Sequence, residues 1–183
     1  REQAVINDPE LRKLAEVTVA GLNMLACRAL RQSDSKIVAP RLKETLMDDA
    51  LQMLREAGEI CGGGDMENIE GSGNCADEAD GMFTGPHQRM LMQTTTLNNC
   101  ACVLRRCGDL PGALRCLKAA LDLEEIILAN RADDLAVSES HDCSTDSATH
   151  LMAKPPAHNP AGTHLNLCAI LSKLKRHGEA LGH

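Results

Sequence analysis

Residues 94–121 decide the fold, and they read Thr94-Thr-Thr-Leu-Asn-Asn-Cys-Ala-Cys-Val-Leu-Arg-Arg-Cys-Gly-Asp-Leu-Pro-Gly-Ala-Leu-Arg-Cys-Leu-Lys-Ala-Ala-Leu121. On both sides of Gly108 and Asp109, apolar and small residues recur every three or four positions, which is the spacing of one helix face. Gly108 can take the left-handed conformation that ends a helix, while Asp109 can cap the next helix with Pro111 in its first turn. The stretch therefore predicts an antiparallel helical hairpin.

The order of small and large residues in this hairpin resembles the tetratricopeptide repeat. The matching positions are Leu97, Cys100, Ala101, Leu104, Gly108, Ala113, Leu117 and Ala120. The string Thr96-Leu-Asn-Asn-Cys-Ala101 is most similar to the kinesin-light-chain type, in which Thr-Leu-Asn-Asn-Leu-Ala opens each repeat, although Leu104 and Leu117 stand where the family has large aromatic residues. The resemblance implies an all-α, right-handed α-solenoid of hairpins that acts as a protein–protein interaction module, scaffold or adaptor.

Two other segments repeat the pattern. Residues 22–27 align with residues 97–102, and residues 166–181 align with residues 99–114. We therefore predict three hairpins: a repeat over 9–60, a repeat over 87–130, and a partial repeat over 160–183 with a short second helix. An acidic flexible insert at 61–86 and a polar insert at 131–159 separate them. Because a solenoid needs a cap on its last apolar face, the sequence is typical of a piece of a longer chain or a multi-protein complex.

The spacing between repeats leaves room for an alternative with more hairpins. The interval from Met24 to Asn99 and the interval from Asn99 to Asn166 are each close to two ordinary repeats of roughly 34 residues. Each gap is already occupied by a second helix and by a segment without apolar periodicity. Three repeats with long inserts are therefore favoured.

Composition narrows the possible functions. The chain has one Phe, no Trp and no Tyr, so it lacks the aromatic surfaces on which nucleobases stack. Its net charge of -7 and the absence of a long basic run disfavour nucleic acids and anionic membranes as partners. No apolar run approaches the roughly 20 residues that span a bilayer. We expect a protein or peptide partner, no nucleic acid and no membrane insertion.

The insert at 61–86 holds six acidic residues and no Lys or Arg, and thus carries most of the net charge. This composition favours a mobile loop, with an acidic partner-binding segment as the alternative.

Nine cysteines are an odd number, and Cys100 and Cys116 fall on predicted buried helix faces. We interpret them as small apolar side chains in a reducing compartment. The chain opens at Arg1 with no apolar signal region, so we expect a cytoplasmic protein. The kinesin-light-chain resemblance extends that expectation to the cytoskeleton.

The first helices of stacked hairpins line a concave groove. The resemblance implies that Asn98, Asn99 and Asn166 hold the backbone of a partner peptide, since a carboxamide offers a donor and an acceptor side by side. The alternative is that these side chains cap turns or bond across the hairpin. The predicted peptide-binding residues are Asn23, Thr95, Asn98, Asn99, Cys102, Arg105, Asn166 and Lys173.

Metal binding is the competing, enzyme-class hypothesis. Potential ligands are His141, Cys143 and the histidines up to His158, together with the close pair Cys100 and Cys102. The chain has no Cys-x-x-Cys pair and no His-Glu-x-x-His string, and Cys100 and Cys102 point to different faces of one helix. We therefore predict no metal, no cofactor and no catalytic residue.

Two functions from different classes remain open. The first is a non-catalytic adaptor that grips a partner peptide or helix in its groove. The second is a structural subunit built permanently into a larger assembly, such as a cytoskeletal or motor-associated complex.

Overall fold

The computed structural model describes residues 9–62, 82–138 and 160–183. This part of the chain is helical and contains no strand, which confirms the all-α class for the described residues. The helices are α1 (Pro9–Ser33), α2 (Pro40–Ile60), α3 (Pro86–Cys107), α4 (Leu110–Ser138), α5 (Ala161–Lys173) and the short α6 (His177–Ala180). None of the helices in these ranges is both long and apolar enough to cross a membrane.

The turn between α3 and α4 follows the sequence prediction. Gly108 ends α3 with a φ of 88°, a left-handed conformation that strains any residue with a Cβ. The next residue, Asp109, caps α4, because its Oδ1 accepts a hydrogen bond of 2.9 Å from the backbone N–H of Gly112. The predicted helical hairpin is confirmed.

The helices pack in a regular order. α1 lies against α2, α3 lies against α4, and α5 lies against α6. In addition, α3 contacts both α1 and α2, and α5 contacts both α3 and α4. The first helix of each later hairpin therefore rests on both helices of the hairpin before it.

Small side chains allow the close approach of α3 and α4. Ala101, Ala113 and Ala120 are fully buried in the main hydrophobic core, together with large residues such as Leu54 and Leu117. Burying a leucine side chain of this kind stabilises the fold by about 1.5–3 kcal/mol, so aliphatic residues alone can supply this core.

Cys100 and Cys116 are buried, unbridged members of the same core. The hydrogen bond with Cys116, reinforced by burial, raises the pKa of the Cys100 thiol, so it stays protonated at neutral pH. The prediction that these cysteines pack as small apolar residues is confirmed.

The ends of the predicted acidic insert at 61–86 are part of the fold, which corrects the expectation of a flexible loop over that whole range. Phe83 and Cys61 are fully buried with Val19 in a second, smaller core. The backbone N–H of Thr84 donates to Glu16 Oε1 of α1 at 2.8 Å. Burying the phenyl ring of Phe83 away from water is favourable, and this burial holds this end of the insert against α1. Residues 63–81 of the predicted insert lie outside the described residues.

Helix α4 continues to Ser138, past the predicted boundary at residue 130. The extra segment, Arg131-Ala-Asp-Asp-Leu-Ala-Val-Ser138, contains no Gly or Pro, so nothing in it stops a helix. The remainder of the predicted polar insert, residues 139–159, lies outside the described residues.

Candidate functional site

A buried asparagine joins α1 to α3. Asn23 is only 7% exposed, and its Nδ2 donates to the Val19 carbonyl oxygen at 3.0 Å and to Thr96 Oγ1 at 2.8 Å. Its Oδ1 accepts a hydrogen bond of 2.7 Å from Asn99 Nδ2. Both N–H groups and the oxygen of this amide are thereby satisfied inside the protein, as a buried polar side chain requires.

The same arrangement joins α3 to α5. Asn98 Nδ2 donates to the Thr94 carbonyl oxygen at 3.2 Å and to Thr163 Oγ1 at 2.8 Å. Its Oδ1 accepts from Asn166 Nδ2 at 3.4 Å. In both cases an asparagine on the first helix of one hairpin bonds two residues on the first helix of the next hairpin. These two residues are a threonine and the asparagine three positions after it. We call these residues the carboxamide ladder: Asn23, Thr96, Asn98, Asn99, Thr163 and Asn166.

A buried carboxylate supports the second half of the ladder. Glu124 of α4 is 1% exposed, and its Oε1 accepts a hydrogen bond of 2.5 Å from Thr163 Oγ1. A carboxyl oxygen held out of water cannot replace a lost partner with solvent, so this hydrogen bond is costly to remove. The Thr163 hydroxyl, itself buried, therefore ties α5 to α4 and to α3 at the same time.

The ladder leaves part of two amides unused. Asn99 and Asn166 are half-buried, and each spends one N–H on the asparagine of the preceding helix. Within the described part of the chain, the Oδ1 atoms of Asn99 and Asn166 accept no hydrogen bond. Each of these side chains thus keeps an acceptor and a second N–H, held in a fixed orientation by the ladder.

A shallow depression lies between α3 and α5, beside Asn166. It is lined by Ala101, Cys102, Arg105, Leu117, Asn166 and Ile170, and it has no interior space large enough for a water molecule. Three predicted site residues, Cys102, Arg105 and Asn166, meet there. The depression is therefore a dimple in the surface and not a pocket that encloses a ligand.

The two neighbouring arginines of α3 have different surroundings. Arg106 is engaged by the turn after α1, where its Nη2 and Nε donate to the two carboxylate oxygens of Asp34 at 2.8 and 3.2 Å. Arg105 instead lines the depression. Arg105 therefore gives this small site a positive charge.

The remaining predicted site residues are dispersed. Thr95 is exposed on α3, and its hydroxyl donates to the Leu91 carbonyl oxygen at 2.9 Å. Lys173 is exposed at the end of α5 and does not line the depression. Asn23 lies on α1, away from the depression, with the buried role described above.

Three residues of the network were not among the predicted site residues: Thr96, Thr163 and Glu124. The sequence does carry a signal for the threonines, since Thr96 precedes Asn99 by three positions and Thr163 precedes Asn166 by the same spacing. Glu124 has no comparable signal, because a single acid inside an apolar helix gives no indication of its partner.

The candidate metal ligands do not converge in the part of the chain that is described. There, no group of three or more His, Cys, Asp or Glu side chains could hold a metal ion. His141, Cys143, His150 and His158 lie outside the described residues.

Comparison with protein-family models, with curated proteins and with solved structures finds no match to this chain.

Proposed function

We propose that the chain is a non-catalytic protein–protein interaction module that binds a partner peptide or helix along the surface formed by α1, α3 and α5. In this proposal the hairpins form a right-handed α-solenoid of tetratricopeptide-like repeats, most similar to the kinesin-light-chain type, and the molecule serves as an adaptor or scaffold. The packing order supports it, because α3 contacts α1 and α5 contacts α3 as successive first helices of a solenoid do.

One observation carries the proposal: the spare hydrogen-bonding edges of Asn99 and Asn166. Each outer amide is oriented by an inner one, Asn23 or Asn98, whose own groups are satisfied. An edge held in place loses less side-chain entropy when it binds, so it is well suited to pair with the N–H and C=O of an extended backbone. The inner asparagines are then positioning residues, and the outer asparagines touch the peptide.

The arginine beside the depression gives this surface a preference for negative charge. Arg105 offers a guanidinium that pairs with carboxylates, and Cys102 beside it is half-buried. We therefore expect the preferred peptide to carry an acidic residue at this point.

Titration with arrayed peptides tests the proposal. A fluorescent peptide selected from such an array should bind the chain, and Asn99→Ala or Asn166→Ala should weaken binding at least tenfold, as the loss of about 1.4 kcal/mol requires. The matched control is Gln52→Ala, which removes an exposed carboxamide from α2 and should leave binding unchanged.

Three results would contradict peptide binding at this surface. They are a peptide array without any ligand, equal binding by Asn99→Ala and Gln52→Ala, or a loss of binding that follows only from a loss of helicity. Far-ultraviolet circular dichroism of each variant separates the last case from a direct contact.

A second candidate is a structural subunit of a larger assembly, cytoskeletal or motor-associated. Exposed apolar side chains away from the ladder favour it, among them Ile37 at 96% and Leu181 at 89% exposure. A permanent subunit should copurify at fixed stoichiometry with its neighbours and should bind no soluble peptide, which is the reverse of the adaptor's behaviour.

A further inference from the structure

One face of α1 is apolar yet exposed. Leu14, Val17 and Met24 are 60%, 61% and 67% exposed, and Leu25 lies beside them. With Gly21 they follow the three- and four-residue spacing of a single helix face. We call Leu14, Val17, Gly21, Met24 and Leu25 the α1 stripe. It lies opposite the buried face by which α1 packs on its neighbours.

The internal repeat identifies what this face corresponds to. The match of residues 22–27 with residues 97–102 aligns α1 with α3. The α1 stripe then corresponds to Arg89, Met92, Thr96, Asn99 and Cys100 of α3. These are contact residues toward the preceding hairpin: Arg89 Nη1 donates to the Cys61 carbonyl oxygen, Met92 packs against the core of Val19 and Phe83, and Thr96 and Asn99 bond Asn23. The α1 stripe therefore corresponds to the face of α3 on which the preceding helical hairpin packs.

The hydrogen-bonding groups of that face are missing from α1. Where α3 has Thr96 and Asn99, α1 has Gly21 and Met24. An asparagine reaching across to α1 would be buried without its two partners, which costs about 1–3 kcal/mol. The side chain that fits between Gly21 and Met24 is therefore apolar.

Charge indicates a second feature of a hairpin that would pack on the α1 stripe. The Arg106–Asp34 ion pair joins the end of α3 to the turn after α1, and the α1 counterpart of Arg106 is Arg31. Arg31 is exposed, with Arg28 nearby on the stripe side of the helix. Consider a hairpin that packs on α1 in the same way as the α1–α2 hairpin packs on α3. The turn between its two helices would lie at Arg31, where a carboxylate is complementary.

A second copy of this chain does not satisfy that requirement. The alignments between the three repeats match Asp34 with Asp109 and then with Arg176. Stacked head to tail, a second copy would bring Leu165 to Gly21 and Met24, but it would bring Arg176 to Arg31. The carboxylate of Glu179 beside Arg176 already accepts two hydrogen bonds of 2.6 Å from that arginine, so it is not free to pair with Arg31.

We propose that the α1 stripe is a docking surface for a helical hairpin of a partner protein. That hairpin presents a leucine-like side chain to Gly21 and Met24, and an acidic residue in its turn to Arg31. The surface is separate from the depression between α3 and α5, so the proposal does not depend on peptide binding there.

A synthetic hairpin serves as the probe. A fluorescent peptide with the sequence of residues 9–62 and the change Asn23→Leu supplies both features, since it retains Asp34 in its turn. Titrated with the full chain, it should bind at least tenfold more tightly than the same peptide with Asn23. Val17→Glu in the full chain should weaken binding at least tenfold, and the exposed control Thr45→Glu on α2 should not change it.

A charge exchange tests the turn contact. Asp34→Arg in the probe should weaken binding, and Arg31→Asp in the full chain should restore it for that probe alone. If the isolated probe is unfolded, the same hairpin is joined by a flexible linker to the N-terminus of the full chain, and hydrogen exchange of α1 is measured. Protection of α1 that is lost on Val17→Glu supports the proposal.

Several results would overturn the proposal. Equal binding of the probes with and without Asn23→Leu, no effect of Val17→Glu, or no protection of α1 in the linked protein overturns the proposal. Self-association that Val17→Glu abolishes would assign the stripe to a second copy, and binding to phosphatidylserine vesicles with the same sensitivity would assign it to a membrane; both overturn it. Val17→Glu should leave peptide binding at the groove unchanged, so the two proposals fail separately.

Discussion

Thr163 is the residue at which the ladder is tested most directly. Its hydroxyl donates to Glu124 Oε1 at 2.5 Å and accepts from Asn98 Nδ2 at 2.8 Å, and it is buried where α3, α4 and α5 meet. Thr163→Val replaces the hydroxyl with a methyl group of similar size. The change therefore removes two hydrogen bonds without opening a cavity.

The magnitude follows from the two bonds. The bond to Asn98 contributes about 1 kcal/mol, and leaving the buried Glu124 oxygen without this partner costs about 1–3 kcal/mol. The free energy of unfolding should thus fall by about 2–4 kcal/mol. With a urea m-value of about 2 kcal/mol/M, the unfolding midpoint should fall by about 1–2 M.

Urea unfolding followed by circular dichroism measures this shift. The matched control is Thr45→Val, because Thr45 is exposed on α2 and its hydroxyl bonds only to the Arg41 carbonyl oxygen of its own helix. We expect the control to change stability by less than about 0.5 kcal/mol. Thr163→Ser, which restores the hydroxyl, should recover most of the loss. If Thr163→Val and Thr45→Val unfold at the same midpoint, α5 is not held on α3 and α4 by this network.

Three further predictions concern the core and the surface. Ala113→Arg should unfold the central hairpin, since it forces a charge into a fully buried helix contact, and thermal melting like the parent's would refute that packing. Burial, opposed by nearby Arg89, raises the pKa of Cys61 from 9.0 to about 12. The contribution of Cys61 to the unfolding free energy should therefore be constant below pH 9 and fall as the pH rises from 9 toward 12, a dependence that Cys61→Ala should weaken in urea titrations across this range. Arg106→Ala should cost less than about 1 kcal/mol, and less in high salt, because both partners of its ion pair are partly exposed.

The sequence predicted what local chemistry determines. The turn at Gly108 and Asp109 follows from backbone preferences, and the pairing of α3 with α4 follows from matched small residues such as Ala101 and Ala113. Helix periodicity fixes which residues share a face, and in α3 and α4 it indicates the buried side. In α1 it does not, because Leu14 and Leu25 are apolar but lie on the exposed face.

Contacts across the inserts could not be derived in the same way. Phe83 sits in an acidic, glycine-containing stretch, and nothing nearby in sequence indicates that Val19, far earlier in the chain, covers it. Composition describes the average behaviour of such a segment, whereas burial of one aromatic ring depends on a distant surface. The extension of α4 to Ser138 was underestimated for a related reason, since polar residues do not end a helix unless they break its backbone.

The ladder explains why adjacent asparagines have opposite roles. Successive helix residues point about 100° apart, so Asn98 reaches forward to α5 while Asn99 reaches back to α1. A helix packed between two first helices can use both amides, whereas an outer helix has a partner for only one. The three helices show this pattern: α1 has Asn23 followed by Met24, α3 has both asparagines, and α5 has Leu165 followed by Asn166. An asparagine in this dipeptide thus indicates a side on which the helix bonds a neighbouring first helix of the ladder. An apolar residue indicates a side on which any contact must be apolar.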